Sequence, residues 1–442
     1  MNIVLTCPPA SALMRLSPNV KRLSFPMETL CWASFLEQCG HHAGIYHDLP
    51  YTQDGFWQYV HVWRADVLII LTDSSNLQAC LKLARIVKET HADMPVVLGG
   101  DIAGFLHDRI LKEVLWVDYV LRGEGEAVLA DFFRELRPRG LARNISHIRG
   151  VTYRQEGRVC INPVQDAGVL LEDLPPLLYH LVDMTKVGRE TVAGALPLLT
   201  GRGCCFHCRF CIDARVGGAS YRCKSPAKML AEICDIQAMG NTLDFFFAES
   251  TFTANRKRVV TFLQMLIDRA LSISWICTTR VDCVDSGLLQ MMKKAGCCKI
   301  IYGVESFSDR MLGLMGKGHS VADAVMALDM TVQEGILAEY NLIFGFPGET
   351  EKTLQESILG VRRLYPRISC RGVSRFYPWP RTRVYGMMQR QGMIDDQVFF
   401  LEDKADFFLH KYYSKHLLNV LLACEVEAHK MVATNDPLYC FT

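Results

Sequence analysis

The sequence lacks an excess of charge of either sign: 48 lysines and arginines face 47 aspartates and glutamates over 442 residues, a net +1 with histidine neutral. So balanced a chain has no pervasive basic surface for a phosphate backbone, and no nucleic-acid partner is expected. It also lacks an apolar run approaching the roughly 20 residues that cross a bilayer, so no membrane partner is expected. Residues 1–9 (MNIVLTCPP) have no basic leader region and run directly into a strand-like stretch. Internal repeats, charge runs and low-complexity tracts are absent. What is present is 50% apolar and 21% charged residues, the composition of a packed chain long enough for two domains. A soluble, cytoplasmic protein with a large core is the expectation.

Cysteine is too dilute for a disulfide scaffold, at 18 residues in 442, and without a secretion signal the thiols are expected to be reduced. Most are scattered singly, among them Cys7, Cys31, Cys80, Cys160, Cys370, Cys424 and Cys440, and read as small buried hydrophobes. Residues 199–217 (LTGRGCCFHCRFCIDARVG) differ: Cys204, Cys208 and Cys211 have the spacing C-x3-C-x2-C on a loop directly after an apolar run. Three thiolates on a cubane iron–sulfur cluster leave one iron open to direct chelation by a substrate. Zinc is the rival reading; a closed zinc site needs a fourth ligand, and only His207 and Cys205 lie nearby, within the loop itself.

Residues 1–138 alternate short apolar runs (3–6, 66–71, 95–100, 119–121) with amphipathic stretches (28–39, 81–91, 127–136), the pattern of a doubly wound parallel α/β sheet. Ligands of such sheets sit beyond the carboxyl ends of the strands. The residues placed there are Pro8 and Pro9, then Thr72, Asp73, Ser74 and Ser75, then Gly99, Gly100 and Asp101, then Gly123, Glu124, Gly125 and Glu126. They are small and polar, as the close approach of a large flat ligand requires, and they equally suit ordinary strand-end turns. The stretch 122–126 (RGEGE) is not the GxGxxG dinucleotide fingerprint. Residues 139–189 form a linker with a hairpin-like piece at 150–163 and a proline pair at 174–177. From 190 to 385 strands and helices alternate again, with apolar runs at 243–247, 273–277, 300–304, 340–344 and 373–376, making six βα units with the strand ahead of the cysteines. A partial barrel with its chemistry at the strand carboxyl ends fits this pattern. The tail, 386–442, reads as helices over the barrel, with runs at 399–401, 407–409 and 417–423.

The cysteine loop resembles the signature of the radical S-adenosylmethionine (SAM) superfamily. With a doubly wound domain ahead of it, the chain resembles the cobalamin-binding (B12-dependent) radical SAM class across about 1–385; the RGEGE, GVES (303–306) and FGFPGET (344–350) segments carry that likeness. The resemblance implies an α/β architecture: an N-terminal Rossmann-like cobalamin-binding domain, then a partial (β/α)6 radical SAM barrel. It implies a [4Fe-4S] cluster on Cys204, Cys208 and Cys211, with SAM contacted by Phe210, Glu249 (through the ammonium), Arg280 (through the carboxylate), Glu305 (at the ribose), Ile343 and Gly345. Cobalamin falls to Pro9, Thr72, Ser74, Ser75, Gly99, Gly100, Gly123 and Glu124.

Three departures stand out. Cys205 is an extra thiol in the loop. The motif D-x-H-x-x-G, which puts a histidine under cobalt, is not found around His41, His42, His47 or His61. Arg381, in 378–385 (PWPRTRVY), replaces the glycine of a PGT-like turn and hints at an anionic substrate group. Lys317 and His319, in 315–320 (MGKGHS), read as loop residues within reach of a substrate. The resemblance implies reductive cleavage of SAM to a 5′-deoxyadenosyl radical and methylation of an unactivated carbon of a small molecule or peptide through methylcobalamin. Electrons would come from a reduced ferredoxin- or flavodoxin-type donor. Cyclisation, rearrangement or 3-amino-3-carboxypropyl transfer without methyl transfer is the alternative, and a non-enzymatic metal or electron-carrier protein a remoter one.

Overall fold

The computed structural model describes residues 1–9, 26–47, 52–73, 76–138, 140, 142, 144–164, 168–183, 195–213, 221–239, 244–400 and 413–431. The chain forms two compact units, one centred on Met1–Thr191 and one on Val192–Ala214 and Tyr221–Met387. The first is built on a seven-stranded sheet of order β2-β1-β3-β4-β5-β6-β7. The strands are β1 Asn2–Thr6, β2 His42–Tyr46, β3 Val67–Thr72, β4 Val96–Gly100, β5 Tyr119–Leu121, β6 Val151–Gln155 and β7 Arg158–Ile161. The first five pair in parallel. β1, β3 and β4 are buried nearly throughout, as strands covered on both faces must be. The order 2-1-3-4-5 is the flavodoxin-like one, and its switch point lies between β1 and β3.

The strand-end glycines have local causes. Trp32, on the helix Met27–Gln38, is 1% exposed. A Cβ on Gly99 would stand 2.3 Å from its ring, and one on Gly125 2.0 Å. Gly100, at φ +86°, opens the helix Asp101–Glu113 with no intervening loop. The hairpin at 150–163 joins the sheet: β6 pairs antiparallel with β5, and Glu156 and Gly157, both at positive φ, turn the chain into β7. The three-residue β5 is thereby covered instead of exposed as an edge.

The second unit carries a six-stranded, wholly parallel sheet of order β8-β11-β12-β13-β14-β15 with no β15–β8 pairing, an open barrel. Its strands are β8 Leu196–Leu199, β11 Asp244–Ala248, β12 Ser274–Thr279, β13 Cys297–Glu305, β14 Leu337–Phe344 and β15 Ser369–Arg375. Pro197 is tolerated because β8 is an edge strand. A two-strand ribbon, β9 Gly201–Arg202 with β10 Arg222–Cys223, brackets the cysteine loop. Helices Pro226–Ala238, Arg256–Asp268, Ser286–Lys294, Val321–Gln333 and Glu351–Leu364 run between the strands. The 417–423 run lies in the helix Lys415–Lys430, where Glu425 pairs with Arg375 of β15 at 3.0 Å. The 399–400 part of the first tail run belongs to a 3-10 helix, Asp396–Phe400; residue 401 and the run 407–409 lie outside the described residues. The α/β architecture of a doubly wound domain and a partial six-stranded barrel is therefore the one expected.

Candidate active site

The cysteine loop leaves the carboxyl end of β8 and is tied down at both ends. Gly203 turns it at φ +75°, and the Arg209 amide donates to the Met315 carbonyl at 2.8 Å. Arg209 also donates from Nη1 to the Leu314 carbonyl at 3.2 Å. Cys204, Cys208 and Cys211 are half-buried, whereas Cys205 and His207 are exposed. The thiols sit among barrel-mouth groups: Cys204 Sγ is 3.7 Å from Thr251 Oγ1, and Cys208 Sγ accepts from Arg280 Nη1 at 3.4 Å. Burial pushes the Cys211 thiol well above its usual range, and Asp213, Cys208 and Cys204 push the same way. A cation on this trio would offset that cost and hold the thiolates charged. Among the described residues no three His, Cys, Asp or Glu side chains converge as one metal ion requires. A cubane, whose thiolates each bind a separate iron, needs a wider spread.

Glu249 follows β11 and is fully engaged. Oε1 accepts from Tyr221 OH (2.6 Å) and Arg258 Nη1 (2.9 Å), and Oε2 from Arg258 Nη2 (2.7 Å) and Thr200 Oγ1 (2.9 Å). A carboxylate offers about four lone-pair sites, and protein donors take all four here, so the SAM ammonium expected at Glu249 would have to share them. Glu249 is 6% exposed, and its buried carboxylate is compensated by the Arg258 guanidinium. Arg280, after β12, is similarly occupied: Nε and Nη2 donate to Asp282 at 2.8 and 2.7 Å, Nη2 also to the Lys317 carbonyl, and Nη1 to Cys208. Of its five N–H groups one is left for the expected SAM carboxylate.

Glu305 ends β13 in a left-handed conformation, φ +70°, beside a register shift of β13 against β14. Its Oε1 lies 3.3 Å from Lys317 Nζ, and a Cβ on Gly303 would stand 2.7 Å from the same oxygen. Strained backbone of this kind, costing about 1–3 kcal/mol, concentrates at functional sites. Phe210 packs edge-on to Phe346 at 6.3 Å, with Lys317 Nζ 6.0 Å from the Phe210 ring. Ile343 is half-buried near the end of β14 and Gly345 follows at φ +79°. Lys317 and His319 lie in a loop, as read, and are buried there, 5% and 9% exposed. Burial and the Lys317 charge hold His319 below the ordinary imidazole range, and its buried Nε2 has no hydrogen-bond partner among the described residues. The two positive-φ glycines of MGKGHS, Gly316 and Gly318, were the signal that this loop turns inward.

In the first unit, Thr72 Oγ1 donates to the Gly99 carbonyl and accepts from the Ala103 amide, both at 2.8 Å. Glu124 Oε2 accepts from the Val169 amide at 2.8 Å, Gly123 holds φ +81°, and Pro9 is half-buried beyond β1. Ser74 and Ser75 lie outside the described residues. Asn76, not singled out from sequence, joins the two strand ends of the switch point: Nδ2 donates to the carbonyls of Pro8 (3.1 Å) and Leu71 (3.3 Å). His41 and His42 stand at the amino end of β2 and His61 in the last turn of the helix Gln53–Val62, away from the carboxyl edge. Arg381 is exposed at φ +62°, a conformation glycine adopts more cheaply.

An open parallel barrel with a three-cysteine loop at its mouth, in one chain with a flavodoxin-like sheet, defines an iron–sulfur enzyme with a second cofactor domain. Two family models match: the radical SAM superfamily over residues 198–359 and the B12 binding domain over 19–133. A relative in Pyrococcus horikoshii, described as an uncharacterized methyltransferase, is 26% identical over 342 residues, 77% of this chain and 73% of the relative. The anaerobic magnesium-protoporphyrin IX monomethyl ester cyclase of Rubrivivax gelatinosus is 26% identical over 336 residues, 74% of this chain but only 59% of that enzyme. The solved structure of the radical SAM methyltransferase TsrM from Kitasatospora setae, with cobalamin and [4Fe-4S] cluster bound, matches in fold. Its TM-score is 0.72 at 15% identity, covering 99% of this chain and 90% of that one. The chain therefore carries a radical SAM domain and a B12 binding domain, and that pairing implies a [4Fe-4S] cluster, SAM and cobalamin as its cofactors.

The residues fit these groups. The loop presents three half-buried thiols, and the unpartnered Nε2 of His319 suits a polar ligand such as SAM. At the carboxyl edge of the first sheet, Gly100 and Gly123, both at positive φ, carry no side chain, as the close approach of a large flat ligand requires. Among the described residues after β1 and β3 none is an imidazole.

Proposed function

We propose that this chain methylates an unactivated carbon of a small molecule or peptide, with residues 190–385 holding the cluster and SAM and residues 1–138 holding cobalamin. The observation that carries the reading is the cysteine loop pinned to the mouth of an open barrel in a chain that also has a cobalamin-type sheet. When bound, the cluster and SAM supply a carbon-centred radical by reductive cleavage, and cobalamin supplies the methyl carrier.

The protein's part is position and dryness. Cys204, Cys208 and Cys211 would hold the cluster through three thiolates and leave one iron for SAM. Phe210, Phe346 and Phe376, with ring centroids 6.3 and 5.0 Å apart in sequence, form an apolar wall that excludes water. Ile343 and Gly345 leave a flat face for the adenine. Lys317 fixes Glu305 where a ribose hydroxyl can donate to it, and His319, held neutral, keeps Nε2 free for a second polar contact. Glu249 acts here through Thr200 and Tyr221, bracing the ribbon under the cysteine loop. Thr72, Gly99, Gly100, Gly123, Glu124 and Pro9 shape the edge that meets cobalamin.

Seventeen described cysteines are free thiols, which suits a reducing, oxygen-poor cytoplasm and a donor of the ferredoxin or flavodoxin type. The test is incubation of the anaerobically reconstituted chain with methyl-labelled SAM and candidate substrates. Label in the product is expected. Deoxyadenosine without label transfer would favour ring closure or rearrangement, the reading that the cyclase relative supports. Neither label transfer nor deoxyadenosine would leave an electron carrier.

A further inference from the structure

We infer that Arg280 sets the reduction potential of the cluster by donating a hydrogen bond from Nη1 to the sulfur of Cys208. The inference rests on the reading that Cys204, Cys208 and Cys211 hold a [4Fe-4S] cluster.

Four observations place the guanidinium for this task. Nη1 lies 3.4 Å from Cys208 Sγ, the only cation donating to a thiol of the trio among the described hydrogen bonds. Its plane sits over Phe206, 4.0 Å from the ring centroid, so the loop that carries the cysteines also seats the guanidinium. Asp282 grips the opposite edge through two hydrogen bonds, and the Lys317 carbonyl takes a further donor, which leaves the fork no freedom to turn from the sulfur. The side chain is 6% exposed, so its charge is weakly screened.

Reduction adds one electron to the cluster, taken from the low-potential donor, with no bond made or broken. An N–H aimed at a thiolate sulfur and a nearby buried cation both stabilise the added negative charge, and such contacts move iron–sulfur potentials upward. Asp282 offsets part of the charge but not the directed N–H. A lysine cannot copy the arrangement, since it lacks the planar fork that binds Asp282 and sulfur together. Arg280 is in this sense a positioning and tuning residue; its effect is present before SAM arrives.

The experiment is a redox titration of the full chain, reconstituted anaerobically and followed by electron paramagnetic resonance without SAM or substrate, for wild type, Arg280→Gln and Arg280→Lys. Arg280→Gln with full iron and sulfide is expected to show a reduced-to-oxidised cluster ratio about tenfold lower at the wild-type midpoint, a downward shift of about 59 mV for one electron, with Arg280→Lys between the two. An unchanged midpoint in an iron-replete Arg280→Gln chain overturns the inference. If that variant loses its iron, the wild type still decides: with arginine labelled by heavy nitrogen, pulsed measurements on the reduced cluster should detect a coupled guanidinium nitrogen, and its absence overturns the inference. A wild-type chain that takes up no iron or sulfide refutes the cluster reading instead.

Discussion

At the scale of single residues, the cysteine loop separates ligands from bystanders by exposure. Cys205 and His207 point outward while the trio faces the barrel mouth. Alanine at any of 204, 208 or 211 should abolish the cluster's visible absorption and iron content, and Cys205→Ala should leave both largely intact; the reverse pattern would reassign the ligands. Glu249 and Arg258 form a pair whose side chains are 0% and 4% exposed. Glu249→Ala strands a buried guanidinium and should cost about 3–5 kcal/mol of stability, read by chemical denaturation. If Glu249 were a SAM contact alone, the substitution would raise the Kd for SAM and leave stability unchanged. Glu349 supplies a pH signature: burial, opposed by hydrogen bonds from Thr353 and the Gly345 backbone and by the Arg310 charge, pushes its carboxyl up to about 7. A folded-state value raised above the unfolded one makes its contribution complete below about 4.5 and lost by about pH 7. Wild type should therefore lose up to about 3 kcal/mol relative to Glu349→Gln between those limits. A pH-independent difference between the two chains would place the carboxyl in contact with water.

At the scale of elements, the pattern of apolar runs located most of the strands because buried parallel strands are nearly continuous in apolar residues. It missed β2 and the helices Gln53–Val62 and Asp101–Glu113. β2 is five residues with a glycine at its centre, too short to show a period, and Asp101–Glu113 begins on the residue after β4 ends, so the change of period has no loop to mark it. The cysteine spacing was legible because its meaning is local. The roles of Trp32, Asn76, Lys317 and His319 were not, because each is set by partners distant in sequence or by a loop path no periodicity reports. Glycines 99 and 125 show the difference: sequence reads them as room for a ligand, and the structure fills the space beside both with the Trp32 ring. Gly99→Ala should cost about 1–3 kcal/mol and Trp32→Ala about 3–5 kcal/mol. The double variant should be destabilised by less than the sum of the two, since removing the ring removes the shortest contact and leaves Leu71 Cδ2 at 2.8 Å. Strict additivity in the denaturation cycle would show that glycine at 99 has another cause.

At the scale of the whole molecule, the question is what a cobalamin-type sheet does without the D-x-H-x-x-G motif that puts a histidine under cobalt. The switch point between β1 and β3 is closed from within by Asn76, which spends its amide on the two strand-end backbones. His41, His42 and His61 are placed away from the carboxyl edge by the direction of β2 and of the helix after it. A cobalamin held there would therefore take no imidazole from His41, His42 or His61. Purified without oxygen and with cobalamin supplied, the chain should hold about one cobalt per polypeptide. Its one-electron-reduced cobalt spectrum should lack histidine nitrogen couplings, and it should be unchanged by His47→Ala, the one of these four histidines at the carboxyl end of its strand. Nitrogen coupling that His47→Ala removes would show that this chain reaches cobalt by a route the missing motif does not describe. Cobalt absent from a chain that retains its iron would separate the cluster chemistry from methyl transfer and move the function to radical cyclisation or rearrangement.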